Sequence, residues 1–208
     1  MTAAAACGLH DPPPAAPRPL ERARGTWGMG LFIATEAMLF ALLFFAYFYL
    51  GGSQARWPPK EDPSYTYALV LLAILLGSGA AAHWAQRGIE RGLAGRLRAG
   101  LVVALVLSFA FLFVQSLEYA KHLRSLTPAE SAYGSIFYTI TSFHLAHVIL
   151  GVLMLLFVLA RAMAGHFDAG RHQAVKNAVA YWHFVDVVWI LIVAILYLSP
   201  HFYGSGRP

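Results

Sequence analysis

Three groups of residues in this chain have types and spacings that bear on chemistry. The first is Tyr181-Trp182-His183-Phe184-Val185-Asp186-Val187-Val188-Trp189, inside an apolar run from Ala178 to Leu198. On a helix His183 and Asp186 stand three apart and share a face, with Trp182 and Trp189 flanking Asp186 at i−4 and i+3. A carboxylate inside a bilayer costs about 2.5–3.5 kcal/mol on insertion scales unless protein or water surrounds it, so this face is expected to look toward protein. Such a face suits a hydrogen bond that fastens helices or subunits together, or a contact to a catalytic or proton-conducting partner. The second group is a single carboxylate, Glu36, in Gly28-Met29-Gly30-Leu31-Phe32-Ile33-Ala34-Thr35-Glu36. It lies roughly 12 Å along a helix from Gly28, close to mid-membrane, where carboxylates are rare and serve either packing or function. The third group is His144 and His147, one helical turn apart. That spacing lets two imidazoles reach one metal, but no cysteine is near. Only His183, Asp186 and Glu36 offer further deep ligands, so helix-to-helix hydrogen bonding is the better reading.

The elements that must hold these residues are membrane helices. The chain has 208 residues, 59% hydrophobic and only 12% charged, and a mean hydropathy of +0.59. Soluble domains carry roughly 25% charged residues, so there is no room here for a sizeable soluble domain. About 20 apolar residues cross a bilayer as a helix. Five segments qualify: Gly28 to Leu50, Tyr65 to Trp84, Ala99 to Glu118, Tyr133 to Ala160 and Ala178 to Ser199. The expected fold is an all-α bundle of five transmembrane helices. Short connections punctuate it at Gly51-Gly52, Trp57-Pro58-Pro59, Gly92, Gly95 and Thr127-Pro128. Residues 1–26 are expected to form a Pro-rich cytoplasmic tail, extended or disordered around Pro12-Pro13-Pro14, Pro17 and Pro19. Met1 to Pro19 has neither the basic start nor the apolar segment of a signal peptide. The membrane domain spans 27–204, and 205–208 form a short C-terminal tail.

Charge orients the bundle. Arg18, Arg22, Arg24, Arg87, Arg91, Arg96, Arg98, Arg161, Arg171 and Lys176 fall on one side, and Arg56, Lys60, Lys121, Arg124 and Arg207 on the other. The richer side is cytoplasmic, which places the N-terminus inside and the C-terminus outside. The net charge of +5 is scattered through short loops, a pattern that suits topology and lipid headgroups and not nucleic acid. The single cysteine, Cys7, excludes an internal disulfide and any cysteine-based metal cluster. Trp27, Tyr47, Tyr49, Trp57, Trp84, Tyr119, Tyr133, Tyr197 and Tyr203 are expected to form aromatic belts at the ends of the spans. Glu118 is expected to be interfacial and solvated, and Glu90 to sit in a solvated ion pair beside Arg87 and Arg91. Gly77, Gly79 and Ala80 to Ala82 allow close helix packing.

Taken in order, the motifs resemble those of subunit III of heme-copper terminal oxidases, in a short five-helix form. They are Trp27-Gly28-Met29 with Leu31-Phe32-Ile33 and Glu36; Trp57-Pro58-Pro59; Gln115-Ser116-Leu117-Glu118-Tyr119; Tyr133-Gly134-Ser135 leading to Phe143-His144 and His147-Val148-Ile149-Leu150-Gly151; and the Tyr181 to Trp189 stretch. The resemblance runs from Trp27 to Gly204. It implies a non-catalytic core subunit packed against a haem- and copper-bearing subunit I, beside subunit II, in a complex that reduces oxygen to water and pumps protons. In that setting the carboxylate matching Glu36 supports proton uptake and protects the enzyme from inactivation during turnover. His183, Asp186, Trp182, Trp189, His144 and His147 become residues of subunit docking or helix packing. The resemblance also implies that haem and copper belong to partner subunits, with no redox centre, catalytic residue or metal site on this chain. Longer family members have two additional N-terminal helices and a lipid-holding cleft; here a Pro-rich tail stands in their place, and phospholipid remains a ligand for the groove around Glu36. Cytochrome c, or a quinol, would meet the complex through other chains, with cytochrome c favoured by Trp57-Pro58-Pro59 and Glu36. The expected location is the bacterial cytoplasmic (inner) membrane. Other readings are a quinol oxidase subunit, an accessory subunit of a nitric oxide reductase, and a small transporter using Glu36, His144, His147, His183 and Asp186. The transporter reading is weakened by spans that lack mid-helix breaks and by the absence of repeated halves.

Overall fold

Helix α1 runs from Pro19 to Gly52, α2 from Tyr65 to Glu90, α3 from Ala94 to His122, α4 from Ala132 to Met163 and α5 from Gln173 to Ile192, continued by a π-helical turn over Val193–Leu198. The computed structural model describes residues 19–52, 54, 57, 65–122 and 131–198. Among these, five helices are long and apolar enough to cross a membrane and no residue lies in a strand. The chain is an integral membrane protein.

The helix ends follow from local sequence. Gly92 and Gly165 both sit at φ +74°, the left-handed region that costs glycine nothing and other residues steric strain. At the end of α2 the N–H of Gly92 donates to the carbonyl of Ile89 at 2.9 Å and that of Leu93 to Gly88 at 2.9 Å. At the end of α4, Gly165 donates to Ala162 at 3.2 Å and His166 to Arg161 at 3.1 Å. Both are Schellman closures, which satisfy the last carbonyls of a helix. Ser131 caps α4, its side chain accepting from the N–H of Gly134 at 3.0 Å. Between α4 and α5, Asp168 Oδ1 accepts from the N–H groups of Gly170 at 2.7 Å and Arg171 at 2.8 Å, which closes the turn.

Packing is tightest between α2 and α3. A Cβ on Gly100 would crowd Ala85 and the carbonyl of Ala81, so the small residues let the two backbones approach. Deeper along the pair, Ser78 Oγ donates to the carbonyl of Ala104 at 2.9 Å and lies 3.0 Å from Ser108 Oγ. Helix α5 sits centrally, against α1, α2 and α4. Helix α1 packs only onto α4 and α5 among the substantial contacts, and exposes Trp27, Leu31, Met38, Leu42 and Phe45. That apolar surface suits hydrocarbon and would be a liability in water. Gln173 Nε2 donates to Thr26 Oγ1 at 2.9 Å and Asn177 Nδ2 to the carbonyl of Gly25 at 3.2 Å. Lys176 Nζ pairs with Glu90 at 3.3 Å, and Arg98 Nε donates to the carbonyl of Ala162 at 3.1 Å. The start of α1, the end of α2, the start of α3, the end of α4 and the start of α5 therefore lie on one side of the bundle, as consecutive spans of alternating direction require.

Several expectations from sequence are corrected. Helix α1 starts at Pro19 and not near Gly28, so residues 19–26 belong to the helix. Proline is well suited to the first helical position, and Leu20-Glu21-Arg22-Ala23-Arg24 carries good helix formers beyond the apolar run. The more proximal part of the expected tail, residues 1–18, lies outside the described residues, as do Pro58-Pro59, Thr127-Pro128, Tyr203 and the 205–208 tail. Helix α5 likewise begins at Gln173, ahead of Ala178, because its polar first turn is held by Thr26 and Gly25. Tyr47, Tyr133 and Tyr197 are core residues and not belt anchors. Tyr47 and Tyr133 pack on Trp57 at centroid distances of 5.4 and 5.1 Å, closing the C-terminal end of α1 onto α4. Trp27, Tyr49 and Trp84 are exposed, as a belt requires. Glu118 is 3% exposed and not solvated. It is drawn in with Gln115 beside Tyr119, Tyr138 and Tyr197. Glu90 takes its cationic partner from Lys176 on another helix, and not from the neighbouring arginines.

Candidate functional site

Helices α1, α4 and α5 converge on Glu36 and His147. Glu36 Oε2 lies 2.8 Å from His147 Nε2, with side-chain exposures of 23% for Glu36 and 11% for His147. The pair is covered by protein on one side and open on the other. His147 Nδ1 lies 2.6 Å from the carbonyl oxygen of Phe143, one turn earlier on α4. A carbonyl only accepts, so Nδ1 carries the hydrogen in this bond. The Nε2–Oε2 hydrogen bond then needs one further proton between its two atoms. Whether that proton sits on the carboxyl or on the imidazole, the pair as a whole carries no net charge. Such an arrangement lowers the cost of placing two ionisable groups in an apolar layer.

Aromatic rings enclose the pair. Phe40 meets His147 edge-on with centroids 5.0 Å apart, and Phe184 lies 6.4 Å away. Phe32 stacks on Tyr181 at 5.8 Å, and the Tyr181 hydroxyl donates to the backbone carbonyl of His147 at 3.4 Å. Glu36 can thus hold or pass a proton at a site walled by rings and reached from the open side of α1.

His144 points elsewhere. It is 1% exposed, stacked on Trp189 with centroids 5.0 Å apart and met edge-on by Phe111 at 6.2 Å. The two histidines of the His144–His147 turn therefore serve different neighbours, one the core and one α1. Among the described residues, no group of three or more His, Cys, Asp or Glu side chains is placed to hold a metal.

The α5 stretch is distributed over the bundle. Trp182 is fully buried against Gly151 of α4, and Trp189 against His144 and Phe111. Asp186 is 4% exposed and abuts Gly79 of α2, while its Oδ2 lies 3.2 Å from His183 Nδ1. His183 itself remains 44% exposed. The expected sharing of a face by His183 and Asp186 is present. The carboxylate faces inward and the imidazole outward.

A family model described as cytochrome c oxidase subunit III matches residues 22–205. Curated relatives named cytochrome c oxidase subunit 3 include one from Artemia franciscana, 37% identical over 184 residues, which cover 86% of this chain and 69% of the relative. One from Lumbricus terrestris is 38% identical over 187 residues, covering 86% and 70%. One from Gallus gallus is 37% identical over 190 residues, covering 86% and 69%. The chain belongs to the cytochrome c oxidase subunit III family. Its place is in a multi-subunit oxidase complex. Membership also displaces the transporter reading.

Four residues that matter to the geometry of this subunit III were not singled out from sequence as partners of the site. In the sequence Tyr181 begins a motif, Gly151 ends one and Gly79 belongs to a small-residue patch, and none of these positions points to its partner. The fourth is His83, whose ring lies 5.7 Å from that of His183. A histidine inside an apolar span was the available signal, but its pairing depends on the register of α2 against α5, which no local pattern encodes.

Proposed function

We propose that this chain is a non-catalytic core subunit III that packs beside subunit I, with subunit II in the same assembly, and that its Glu36–His147 pair supports proton uptake by the complex. The observation that carries the reading is the 2.8 Å bond between Glu36 and His147 at the half-open edge of α1 and α4. A purely structural fastening would be served as well by two neutral side chains. A carboxyl and an imidazole sharing one proton, open to an adjoining surface, instead hold an exchangeable proton, and a relay that delivers one proton as the other leaves keeps the pair neutral in the membrane.

Oxygen reduction to water takes place on partner subunits that carry haem and copper, and this chain contributes no redox centre, metal ligand or catalytic residue. Cytochrome c delivers electrons through other chains. Phospholipid fills the groove beside α1, where exposed Leu31, Met38 and Leu42 offer an acyl-binding surface. The subunit lies in a bacterial cytoplasmic membrane with the N-terminus inside, a placement supported by the basic residues at the shared end of α1, α2 and α5. Within this role, Trp182, Trp189, His144 and Asp186 pack helices, and His183 serves docking.

Glu36→Gln tests the proposal in the purified, assembled oxidase. Glutamine keeps a hydrogen bond to His147 Nε2 but cannot release a proton. Assembly and the first turnovers are expected to be normal, with slower proton uptake and fewer turnovers before inactivation. Unchanged uptake together with an unchanged working lifetime would reduce Glu36 to packing.

A further inference from the structure

His144 is enclosed, yet its polar atoms are unmet. The residue is 1% exposed, and neither ring nitrogen has a hydrogen-bond partner among the described residues. An imidazole in either neutral tautomer carries one N–H and one bare nitrogen, so a donor and an acceptor both stand open in the core. Leaving such groups unanswered away from water is costly, and buried polar atoms in folded proteins are nearly always bonded. The near neighbours of the ring are aromatic: Trp189 stacked at 5.0 Å, Phe111 edge-on at 6.2 Å and Phe40 edge-on at 6.4 Å. Trp189 adds a further open donor, because its Nε1 is also buried with no partner among the described residues.

An open acceptor stands across the interface of α3 and α4. Phe111, Gln115 and Tyr119 follow one another at four-residue spacing and share a face of α3. Phe111 meets His144, and Tyr119 meets Tyr138 with centroids 5.7 Å apart. Gln115 is midway between these contacts, and so stands level with Thr141, midway between Tyr138 and His144 on α4. Gln115 is 2% exposed, and its Oε1 has no partner among the described residues. Thr141 cannot serve it, because the Thr141 hydroxyl donates to the carbonyl of Phe137 at 2.8 Å. Thr141 and His144 are three residues apart, about 4.5 Å along the axis. That offset exceeds one N–H···O bond of about 3 Å and suits two in series. The link between them must accept from an N–H and donate to a carboxamide oxygen. Water does both, and can accept from Trp189 Nε1 as well, which gives it the number of partners that holds a buried water in place.

We propose that an ordered water is seated between α3, α4 and α5, donating to Gln115 Oε1 and accepting from the His144 N–H and from Trp189 Nε1. It is a structural ligand of the bundle, one turn of α4 from His147, and its place there does not depend on what Glu36 does. A density map of the purified oxidase, at a resolution that shows waters, is expected to contain an isolated peak about 2.7–3.2 Å from both Gln115 Oε1 and one ring nitrogen of His144. A map that shows waters elsewhere on this subunit and none at this point, or one in which Gln115 touches His144 directly, would overturn the site. Gln115→Leu and His144→Phe form the second arm, each removing one polar partner and keeping an apolar side chain in its place. Thermal release of the subunit from the complex is expected to fall by about 2–4 °C in each single variant, and no further in the double variant, because either change alone frees the water. A raised release temperature in a single variant is the result for groups that were never satisfied, and full additivity is the result for groups that share no water. Either would overturn the site, and the map decides it where a variant does not assemble.

Discussion

Asp186 Oδ2 occupies the space that a Cβ on residue 79 would need. Gly79 is therefore the socket on α2 for the one buried acid of α5, and the 3.2 Å bond to His183 depends on that socket. Gly79→Ala should destabilise the subunit by about 1–3 kcal/mol, the usual cost of overpacking. Asp186→Ala should also destabilise it, by removing the partner of His183. The double variant should be less damaging than the sum, because alanine at 186 vacates the space that alanine at 79 enters, with a coupling of about 0.5–3 kcal/mol. Thermal release of the subunit from the complex measures all three. Strict additivity would show that the two residues do not share a site.

A similar socket joins α5 to α4. The six-membered ring of Trp182 lies where a Cβ on Gly151 would stand, with Tyr181 close on the other side. Trp182 is fully buried, so its ring has no free space into which to retreat. Gly151→Ala is expected to cost about 1–3 kcal/mol and to move Tyr181 relative to the carbonyl of His147. The change should be visible as altered tryptophan fluorescence in the folded protein. An unshifted spectrum with unaltered thermal stability would mean that α4 and α5 can separate without penalty.

These sockets mark the boundary of what the sequence makes legible. Five apolar stretches of spanning length predict five helices, because hydrocarbon demands internally satisfied backbones over a set distance. The same rule cannot see polar extensions, which is why α1 and α5 begin earlier than their apolar runs. Glu36 and His147 stand out by residue type, yet their pairing joins helices 111 positions apart in sequence. The spacing of His144 and His147 suggests a joint role, and a rotation of about 60° between them around α4 is enough to send one ring to Trp189 and the other to Glu36. Glu118 shows the opposite failure. Its place near a helix end argued for solvent, while the tyrosines gathered around it come from α3, α4 and the π-helical turn after α5.

The tautomer of His147 gives a direct check on the site. Since Nδ1 donates to the Phe143 carbonyl, nitrogen-15 resonances of His147 should report a protonated Nδ1 in the unaltered protein, in Glu36→Gln and in Glu36→Leu alike. The variants should differ at Nε2, which keeps a hydrogen-bond partner beside glutamine and loses it beside leucine. Detachment of α1 should become easier by about 1 kcal/mol in Glu36→Leu and by little in Glu36→Gln, in line with interhelical hydrogen bonds in membranes. A hydrogen on Nε2 with Nδ1 bare would contradict the bond to Phe143 and with it the shared-proton arrangement.

The turn between α4 and α5 should respond to acid in one direction only. The Arg171 side chain, which bonds Asp168 Oδ2 at 3.0 Å, holds the Asp168 carboxyl below its ordinary value, helped by the N–H groups of Gly170 and Arg171. The folded carboxyl is the stronger acid, so its contribution is fully present above the ordinary carboxyl value of 3.8 and is lost as pH falls through the lower folded value. Because the group is exposed, the effect should be confined to the turn and leave the bundle intact. Amide exchange at Gly170 and Arg171, corrected for intrinsic rates, is expected to lose protection below that value in the unaltered protein. In Asp168→Asn the protection should be weaker at neutral pH and independent of acid, since the amide neither titrates nor pairs with the guanidinium. Equal protection in the two proteins across the whole range would show that the carboxylate does not hold the turn.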